Sequence, residues 1–373
     1  MKTILTLFGT RPEIIKLAPV IHALEARAEQ LQTLNVASSQ HTDLLHSFAR
    51  ELDVRIDKDL EVMRPGQTPS DICARVLERL DPLLDEVRPD LLVVQGDTST
   101  ALAGALAAFH RGVAVGHVEA GLRSGDRESP FPEEMNRRLI TRIAQLHFAA
   151  TRENVENLRS EGVDEDRIVL TGNPVVDSLH RILKSVSPSP RLQQVLSALE
   201  GRRLIVLTTH RRESFGDLMM ARMGVLRDFV ERHPELALVF PVHPNPVVRR
   251  AAEQVLGGAV RVALVEPLEY PDFIYLLSHA WLIVSDSGGV QEEAPTLGKP
   301  LLVLRENTER PEALRCGIAK LVGRSPARLK ELLAEALGDA SWAAHVRRTP
   351  NPFGEGDSGP RIATAVEEFL NRK

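Results

Sequence analysis

Short apolar runs that alternate with helix-forming segments constrain the fold of this 373-residue chain more than any other feature of its sequence. Such runs, bounded by turn residues and separated by helices, are typical of parallel sheets covered by helices on both faces. Candidate strands lie at 3–8, 33–37, 91–95, 113–118 and 146–150, and again at 204–208, 236–242, 260–265, 282–285 and 301–304. Helical periodicity is clear at 12–27, 69–87 and 98–110. We therefore predict an α/β protein with doubly wound parallel sheets.

The pattern of strands and helices begins twice, which predicts two domains. Domains of about 150 residues are usual, so the length of the chain also suits two. A Ser- and Pro-rich stretch near 183–191 suits a linker, although a proline-bearing loop inside one domain would have the same composition. We expect domains at 1–183 and 184–373, with an amphipathic final helix over 360–372 that can pack back on the N-terminal domain.

Composition and charge exclude several classes of protein. The chain is 43% hydrophobic and 26% charged, has a formal net charge of -5, and contains no basic block suited to nucleic acid. Its two cysteines, Cys73 and Cys316, suggest neither a disulfide framework nor a zinc motif, which fits a reducing cytoplasm. No apolar run is long enough for a signal-peptide core or a membrane span. We expect a cytoplasmic enzyme that binds neither nucleic acid nor membrane.

Motifs for metal and dinucleotide binding are missing from the sequence. The Asp-x-Asp spacings at 57–59 and 164–166 lie in polar stretches that suggest solvated loops. There is neither a Gly-x-Gly-x-x-Gly turn after a strand nor a Gly-x-Ser-x-Gly elbow. We therefore expect no metal and no cofactor, and neither a dinucleotide oxidoreductase nor a serine hydrolase.

The first strand ends in a turn suited to an anion. Its sequence is Gly9-Thr10-Arg11-Pro12-Glu13-Ile14-Ile15-Lys16, in which Gly9 permits a tight turn and Pro12 suits a helix start. Open α/β sheets bind ligands at the carboxyl ends of their strands, and helix N-termini favour negative charge. We predict that Arg11 and Lys16 bind an anionic ligand; the alternative is an ordinary turn with solvated basic residues.

Three carboxylates lie just beyond predicted strands or at the start of the next helix, namely Asp97, Glu119 and Glu133. The carboxyl ends of parallel strands share one edge of a sheet, so these side chains are expected to converge near Arg11. Clustered carboxylates raise one another's pKa, which suits proton abstraction, and together they stabilise a developing cation. Taken singly, Asp97 can be only an N-cap, and Glu133 or Glu134 only first-turn residues favoured by the helix dipole.

The first strand of the second half ends in another cationic turn. Its sequence is Thr208-Thr209-His210-Arg211-Arg212-Glu213. Neighbouring cations repel a metal ion and attract phosphate, so we predict that His210 and Arg211 face an anion. His243, after the next strand, is a further candidate, for which a packed loop histidine is the alternative.

A glycine turn near residue 288 predicts a phosphate cradle. The sequence Ser285-Asp286-Ser287-Gly288-Gly289-Val290-Gln291-Glu292-Glu293 leads from a strand through glycines into a helix. Glycines let the backbone approach a ligand closely, and the helix start favours negative charge. Glu292 and Glu293 are placed to accept hydrogen bonds from ribose hydroxyls, and Arg310 adds a cation on the same side.

In this order the motifs resemble the non-hydrolysing UDP-N-acetylglucosamine 2-epimerases, a family with two Rossmann-like domains in a glycosyltransferase-B-like arrangement. The matching motifs, between residues 9 and 312, are Gly-Thr-Arg-Pro-Glu-Ile-Ile-Lys, Gln-Gly-Asp-Thr, His-Val-Glu-Ala-Gly-Leu-Arg, Pro-Glu-Glu-x-Asn-Arg, Thr-Thr-His-Arg-Arg-Glu, Asp-Ser-Gly-Gly-Val-Gln-Glu-Glu-Ala-Pro and Thr-Glu-Arg-Pro-Glu. The resemblance implies an active site in the interdomain cleft. It also implies an isomerase that interconverts UDP-N-acetylglucosamine and UDP-N-acetylmannosamine, by eliminating UDP to a bound 2-acetamidoglucal and adding it back.

The resemblance also implies roles for individual residues. The catalytic residues would be Asp97, Glu119, Glu133 and His210, and it leaves open which carboxylate removes the C2 proton. The substrate-binding residues would be Arg11, Lys16, Arg211, His243, Phe273, Ser287, Gly288, Gly289, Glu293 and Arg310. Among them Glu293 would bind ribose and Phe273 the base.

Bacterial members of this family are reported to bind a second substrate molecule as an activator. Its counterparts here would be Gln40, His41, Arg64 and Glu134. Members usually read Gly-Gln-His-Arg where this chain has Ser39-Gln40-His41-Thr42, and Leu268 stands where many have Gln. The implied partners are a UDP-sugar substrate, a second UDP-N-acetylglucosamine as activator, and a second copy of the chain in a homodimer serving cell-surface polysaccharide biosynthesis.

Other functions fit the same motifs. A glycosyltransferase of this build would pass the sugar to an acceptor, but it commonly needs one base rather than three carboxylates. A hydrolysing epimerase would release free N-acetylmannosamine, and a nucleotide-sugar sensor would use the carboxylates only structurally. The identity of the product distinguishes these alternatives.

Overall fold

The protein consists of two compact units. The computed structural model describes residues 1–40, 42–211 and 214–372, apart from the side chains of 42–44. One unit comprises Met1–Ser178 together with the chain from Phe353 onward, and the other comprises Leu179–Pro352. The division therefore falls inside a helix, ahead of the expected linker at 183–191, and the C-terminal segment belongs to the first unit.

Each unit contains one sheet in which all strand pairs are parallel. The first sheet has the order β3-β2-β1-β4-β5-β6-β7 and the second the order β10-β9-β8-β11-β12-β13. The strands are β1 Lys2–Phe8, β2 Leu31–Ala37, β3 Lys58–Asp59, β4 Leu91–Gln95, β5 Ala114–Ala120, β6 Leu146–Ala149, β7 Ile168–Leu170, β8 Arg203–Thr208, β9 Leu236–Pro241, β10 Val262–Val265, β11 Ala280–Ser285, β12 Leu301–Val303 and β13 Ala319–Leu321. The predicted fold class, two doubly wound parallel sheets, is confirmed.

Helices connect the strands of both sheets. They are α1 Arg11–Glu25, α2 Thr42–Glu51, α3 Pro69–Val87, α4 Ser99–His110, α5 Glu133–Ile143, α6 Arg152–Ser160, α7 Pro174–Ser185, α8 Pro190–Ala198, α9 Asp217–Arg232, α10 Pro246–Leu256, α11 Tyr270–Ser278, α12 Val290–Thr296, α13 Pro311–Arg315, α14 Pro326–Gly338, α15 Ala340–Arg348 and α16 Ser358–Asn371. Among the described residues, no helix is both long and apolar enough to span a membrane.

Sequence periodicity missed the edge strands β3, β7 and β13, which are two or three residues long. The prediction that 57–59 is a solvated loop is wrong, because Lys58–Asp59 pairs with β2. The Asp59 carboxylate accepts hydrogen bonds from Ser39 Oγ at 2.6 Å and His46 Nε2 at 2.7 Å. A strand this short has no detectable alternation, and its place is set by the neighbouring strand.

The C-terminal helix α16 packs against α1 in the first unit. The two helices approach closely at Gly359, where an added Cβ would lie 2.4 Å from the Pro19 carbonyl oxygen. The amide groups of Ser358 and Gly359 donate to the Asp177 carboxylate at 3.2 and 3.0 Å. These contacts explain why the last helix folds with the N-terminal sheet.

Two buried histidines lie side by side in the first sheet. His117 of β5 pairs in register with His147 of β6, and both side chains are buried. Burial lowers the pKa of His117 from its usual 6.5 to about 4, and burial together with His117 lowers the pKa of His147 to about 3. Both imidazoles are therefore neutral in the folded protein at pH 7.

We expect these histidines to make the protein sensitive to acid. The unfolded chain binds protons below about pH 6.5 where the folded chain does not, so the free energy of unfolding should fall as the pH drops from about 6.5 toward 4. The slope should be up to about 1.4 kcal/mol per pH unit for each histidine. Urea unfolding at several pH values would measure it. His147→Leu should flatten the slope and the half-exposed control His46→Gln should not; equal slopes in all three proteins would contradict the prediction.

Candidate active site

Glu119 occupies the centre of the carboxyl edge of the first sheet. It lies near the end of β5, where the register with β6 shifts between Val118 and Ala120. Its φ is 64°, a left-handed conformation that costs a non-glycine residue on the order of 1–3 kcal/mol and is concentrated at functional sites. The bulge and the unusual φ turn a buried carboxylate toward the loops at this edge.

The Glu119 carboxylate is surrounded by donors from three other elements. It forms a buried ion pair with Lys16 Nζ of α1 and accepts a hydrogen bond from Gln95 Nε2 of β4. Asn173 Nδ2 donates to it at 3.2 Å. These donors favour the ionised carboxylate, so Glu119 is held as a base or as a negative charge facing a developing cation. Lys16, predicted to bind an anionic ligand, lies beside this carboxylate.

The turn after β1 is packed too tightly for a side chain at its first position. A Cβ on Gly9 would lie 2.2 Å from Ser38 Oγ, so only glycine fits there. Pro12 lies in the first turn of α1. The Arg11 guanidinium lies 4.4 Å from the centroid of the Phe48 ring, a cation–π arrangement that orients it at the edge of the sheet.

Asp97 follows β4 and binds Arg137 of α5 through two hydrogen bonds. Arg137 Nε and Nη2 lie 2.8 and 2.7 Å from Asp97 Oδ2, and Asn136 Nδ2 donates to the Asp97 carbonyl at 2.8 Å. The N-cap of α4 is Thr98, whose Oγ1 accepts from the Ala101 amide at 3.0 Å. The alternative in which Asp97 is only an N-cap is therefore wrong.

Glu133 and Glu134 begin α5 and differ in their surroundings. Glu133 is the first residue of the helix and is half-buried. Glu134 is fully buried and binds Arg137 at 3.2 Å and Arg138 at 2.9 Å, so Arg137 joins it to Asp97. Glu134, predicted to contact an activator, is thus part of the ion-pair network that holds Asp97.

Of the other residues predicted to contact an activator, Gln40 accepts a hydrogen bond from Thr100 Oγ1 at 2.9 Å through its side chain. Arg64 is exposed, and its guanidinium donates to the Met63 carbonyl at 2.8 Å. His41 lies outside the described residues.

Sequence reasoning overlooked Glu13, a buried carboxyl in the first turn of α1. Its oxygens accept from the Gly9 amide at 3.0 Å, Thr10 Oγ1 at 2.8 Å and Thr98 Oγ1 at 2.7 Å. Burial raises its pKa to about 7, against the effect of these hydrogen bonds, and the nearby Asp97 raises it further. The signal was available, because Glu13 follows an N-cap threonine by three residues, the spacing of a capping box.

Arg137, Gln95 and Asn173 were also missed as members of the site. Arg137 and Gln95 stand inside motifs that had been noticed, Pro-Glu-Glu-x-Asn-Arg and Gln-Gly-Asp-Thr. Asn173 follows the short edge strand β7, and nothing in its local sequence indicates contact with a carboxylate that precedes it by 54 residues.

In the second unit, Asp286 organises the cationic turn after β8. Thr209 Oγ1 donates to its carboxylate at 2.7 Å, and the amides of His210 and Arg211 donate at 3.1 Å. The ring of His210 has Nδ1 3.3 Å from Asp286 Oδ1 and stacks on His243, with 5.7 Å between centroids. Burial and the neighbouring His210 lower the pKa of His243. The exposed His210 ring thus lies between Asp286 and His243 at the carboxyl edge of the second sheet.

Arg310 lies beneath the glycine turn between β11 and α12. A Cβ on Gly288 would lie 3.0 Å from Arg310 Nη1, so the absence of a side chain brings this guanidinium close to the backbone. Arg310 Nε binds Glu292 at 2.5 Å and Nη1 lies 3.5 Å from Glu309. Burial opposes ionisation of Glu309, but Arg310 and Arg305 lower its pKa to about 2. The turn is therefore backed by a cation held in a fixed position.

The remaining predicted residues of the second unit flank this turn. Ser287 and Gly289 are half-buried and complete it, and the Ser287 amide donates to Ser285 Oγ at 3.0 Å. Glu293 of α12 accepts a hydrogen bond from Tyr270 Oη at 2.8 Å. Tyr270 begins α11, which also carries the half-buried Phe273. Throughout the part of the chain that the structure describes, no three His, Cys, Asp or Glu side chains are grouped so as to hold a metal ion.

Each unit is a doubly wound parallel α/β domain with polar groups at the carboxyl ends of its strands, where such sheets bind ligands: buried carboxylates in the first unit and cations in the second. A family model described as UDP-N-acetylglucosamine 2-epimerase matches residues 22–367. The chain is 43% identical over 369 residues to the UDP-N-acetylglucosamine 2-epimerase of Escherichia coli K12, covering 98% of each chain. The chain therefore belongs to the UDP-N-acetylglucosamine 2-epimerase family, whose members are isomerases.

Solved structures agree with this assignment. The UDP-N-acetylglucosamine 2-epimerase from Neisseria meningitidis, bound to UDP-N-acetylglucosamine, is 37% identical with a TM-score of 0.90 and full coverage of both chains. The enzyme from Methanocaldococcus jannaschii, in complex with UDP-N-acetylglucosamine and UDP, is 33% identical with a TM-score of 0.83 and covers 99% of this chain and 100% of its own. The resemblance noticed in the sequence motifs is confirmed.

Proposed function

We propose that the protein interconverts UDP-N-acetylglucosamine and UDP-N-acetylmannosamine without hydrolysis, by eliminating UDP to a bound 2-acetamidoglucal and adding UDP back to it. The observation that carries the proposal is the buried Glu119 carboxylate, bound by Lys16 and Gln95 at the edge that also carries Asp97. Similarity to proteins named for this activity, two of them bound to the substrate, supports the same conclusion.

The elimination of UDP requires carboxylates beside the sugar. Elimination breaks the C2–H and C1–O bonds and forms a C1–C2 double bond, so a base must take the C2 proton while positive charge builds on the ring. Glu119, Asp97 and Glu133 are the groups of the first unit that supply a base and stabilise that charge. Because re-addition inverts C2, the proton must be returned to the opposite face, which requires more than one proton-transferring group.

The leaving diphosphate requires cations and a proton donor beside it. We assign Arg211, Arg310 and the glycine turn at 287–289 to the diphosphate, where their charge stabilises the leaving UDP. His210 has its ring Nδ1 beside the Asp286 carboxylate, and its side chain is exposed. We propose it as the donor to the leaving oxygen. Glu293 is assigned to ribose and Phe273 to the base. The reaction is redox-neutral and its charges are matched by side chains, so the proposal includes no cofactor.

Some parts of the proposal rest on the family resemblance alone. They are a homodimer, a cytoplasmic location, an activating second molecule of UDP-N-acetylglucosamine near Gln40 and Arg64, and a place in cell-surface polysaccharide synthesis. Sedimentation with and without UDP-N-acetylglucosamine, together with the dependence of rate on substrate concentration, would test the first and third of these.

A proton NMR time course with UDP-N-acetylglucosamine in D₂O tests the central proposal. We expect UDP-N-acetylmannosamine to appear with deuterium at C2, because the proton returned to the glucal comes from solvent. A substrate that keeps its C2 proton would overturn epimerisation, and free N-acetylmannosamine with UDP would instead identify a hydrolysing enzyme. Sugar transfer to an added acceptor without a C2 exchange would identify a glycosyltransferase.

A further inference from the structure

We propose that Glu13 is a positioning residue for the epimerisation: its buried carboxylate ties the turn after β1 to the turn after β4 and thereby fixes Asp97. This inference rests on the proposed function. Glu13 is 1% exposed, so it cannot touch a substrate and acts only through the residues it binds.

The geometry of Glu13 joins two parts of the chain that are distant in sequence. One oxygen, Oε2, accepts from the Gly9 amide and from Thr10 Oγ1, both in the turn after β1. The other, Oε1, accepts from Thr98 Oγ1, a separation of 85 residues. We call these three hydrogen bonds of Glu13 the clamp. Thr98 directly follows Asp97 in the turn after β4, so a movement of the clamp reaches Asp97 through one peptide bond.

The same carboxylate also contributes to the start of two helices. Thr10 is the N-cap of α1, and Thr98 is the N-cap of α4, where its Oγ1 accepts from the Ala101 amide. Glu13 therefore accepts from the hydroxyl of each N-cap residue, and the Thr98 hydroxyl at the same time caps its helix. Ordinary capping needs one such contact within a helix, whereas the bond to Thr98 crosses to a different helix.

Ionised Glu13 accepts from all three donors at once, whereas a proton on Oε1 would reverse the direction of the hydrogen bond with Thr98 Oγ1. A carboxylate accepts at both oxygens, but a protonated carboxyl carries a donor on one of them, and the Gly9 amide cannot reverse its role. Among the other charged groups at this edge, which include Arg11, Glu133 and Glu134, Asp97 binds Arg137 and Glu119 binds Lys16. Of these, the charge of Asp97 acts on Glu13 and raises its pKa.

Protonation of Glu13 should therefore loosen the clamp in mildly acidic solution. With a pKa of about 7, raised mainly by burial, the carboxyl gains a proton as the pH falls through neutrality. An ionised Glu13 also repels the charge on Asp97 and makes Asp97 a stronger base. Both effects predict that kcat falls as the pH drops below about 7.

The test compares Glu13→Gln with the wild-type enzyme in the C2-epimerisation assay across pH. We expect kcat to fall by about 10²-fold, the order of loss that a small misplacement of a reacting group causes, while KM changes little. The fall in kcat below about pH 7, expected for the wild-type enzyme, should be absent in this variant. Glu25→Gln is the matched control. Glu25 lies in the same helix, and its carboxylate accepts a hydrogen bond from Asn35 Nδ2 (3.0 Å) that is not part of the site.

A second pair of variants removes the other end of the clamp. Thr98→Val should lower kcat to a similar extent as Glu13→Gln, and the loss in the double variant should be smaller than the product of the two single losses, because the two residues share one contact. Thr98→Ser keeps the hydroxyl and should retain most of the activity. These variants provide the same test if Glu13→Gln does not fold, as judged by circular dichroism.

Amide hydrogen exchange gives a readout that does not depend on activity. Glu13→Gln should exchange faster at Gly9 and over 97–101 than the wild-type protein, whereas Glu25→Gln should not. Wild-type kcat, the same fall in kcat below about pH 7 and unchanged exchange in a folded Glu13→Gln protein would overturn the inference. An inactive wild-type enzyme would refute the proposed function instead, and the exchange data would still decide whether Glu13 holds the two turns.

Discussion

Replacing Glu119 with Gln is expected to lower the rate of C2 epimerisation by on the order of 10⁴-fold, the upper end of what one acid–base group contributes. The carboxylate accepts from Lys16, Gln95 and Asn173 at the centre of the first sheet's edge. A glutamine keeps one acceptor oxygen for these donors but turns an NH₂ group toward the rest, so circular dichroism is needed to establish that the variant folds. The glutamine cannot take a proton or carry the charge that faces the sugar.

Single-turnover conversion of UDP-N-acetylglucosamine, with deuterium incorporation at C2, measures this effect. Glu161→Gln is the matched control, because the Glu161 carboxylate also binds a basic side chain in the first unit, with Arg123 Nε at 2.7 Å. It should convert substrate at the wild-type rate. If folded Glu119→Gln protein kept a rate within about tenfold of wild type, Glu119 would be structural and the base would have to be sought elsewhere.

Asp97→Asn should lower the same rate by about 10²- to 10⁴-fold if Asp97 moves a proton. An asparagine keeps one acceptor for Arg137 but loses the negative charge. The buried Arg137 guanidinium then lacks part of the negative charge that balances its own. We therefore expect a smaller free energy of unfolding as well as a lower rate. Urea unfolding and the NMR assay, carried out on the same preparation, separate the two effects.

Asp81→Asn is a suitable control for Asp97→Asn. Asp81 also binds an arginine, with Arg111 Nε 2.6 Å from Oδ1, but it lies half-exposed on α3. It should leave the epimerisation rate unchanged. An Asp97→Asn enzyme that is destabilised yet works at the wild-type rate would remove Asp97 from the mechanism and leave it as part of the ion-pair network.

Both predictions share a physical basis. A carboxylate buried beside a cation is ionised at neutral pH, while one buried without a cation, such as Glu13, carries a pKa of about 7. The first sheet's edge thus combines two carboxylates that are paired with cations, Asp97 and Glu119, with one buried carboxyl, Glu13, whose pKa is raised to about 7.

The sequence alone determined the fold class and the positions of the reactive groups along the chain. Apolar runs and helical periodicity are local properties, so the inner strands and the helix starts at 11 and 99 were predictable. The rule that ligands bind at the carboxyl ends of parallel strands brought Asp97 and Glu119 to one edge without coordinates. Family membership followed from motif order.

Only the tertiary structure decided which groups pair with which. The contacts of Glu119 with Lys16 and Asn173, and of Glu13 with Thr98, join residues far apart in the chain and depend on sheet order and on a register shift in β5. The edge strands β3, β7 and β13 were equally out of reach, and the return of α16 to the first unit could be offered only as one of two placements. Periodicity reports on neighbours along the chain, whereas ionisation and proton transfer depend on neighbours in space, which only the assembled fold defines.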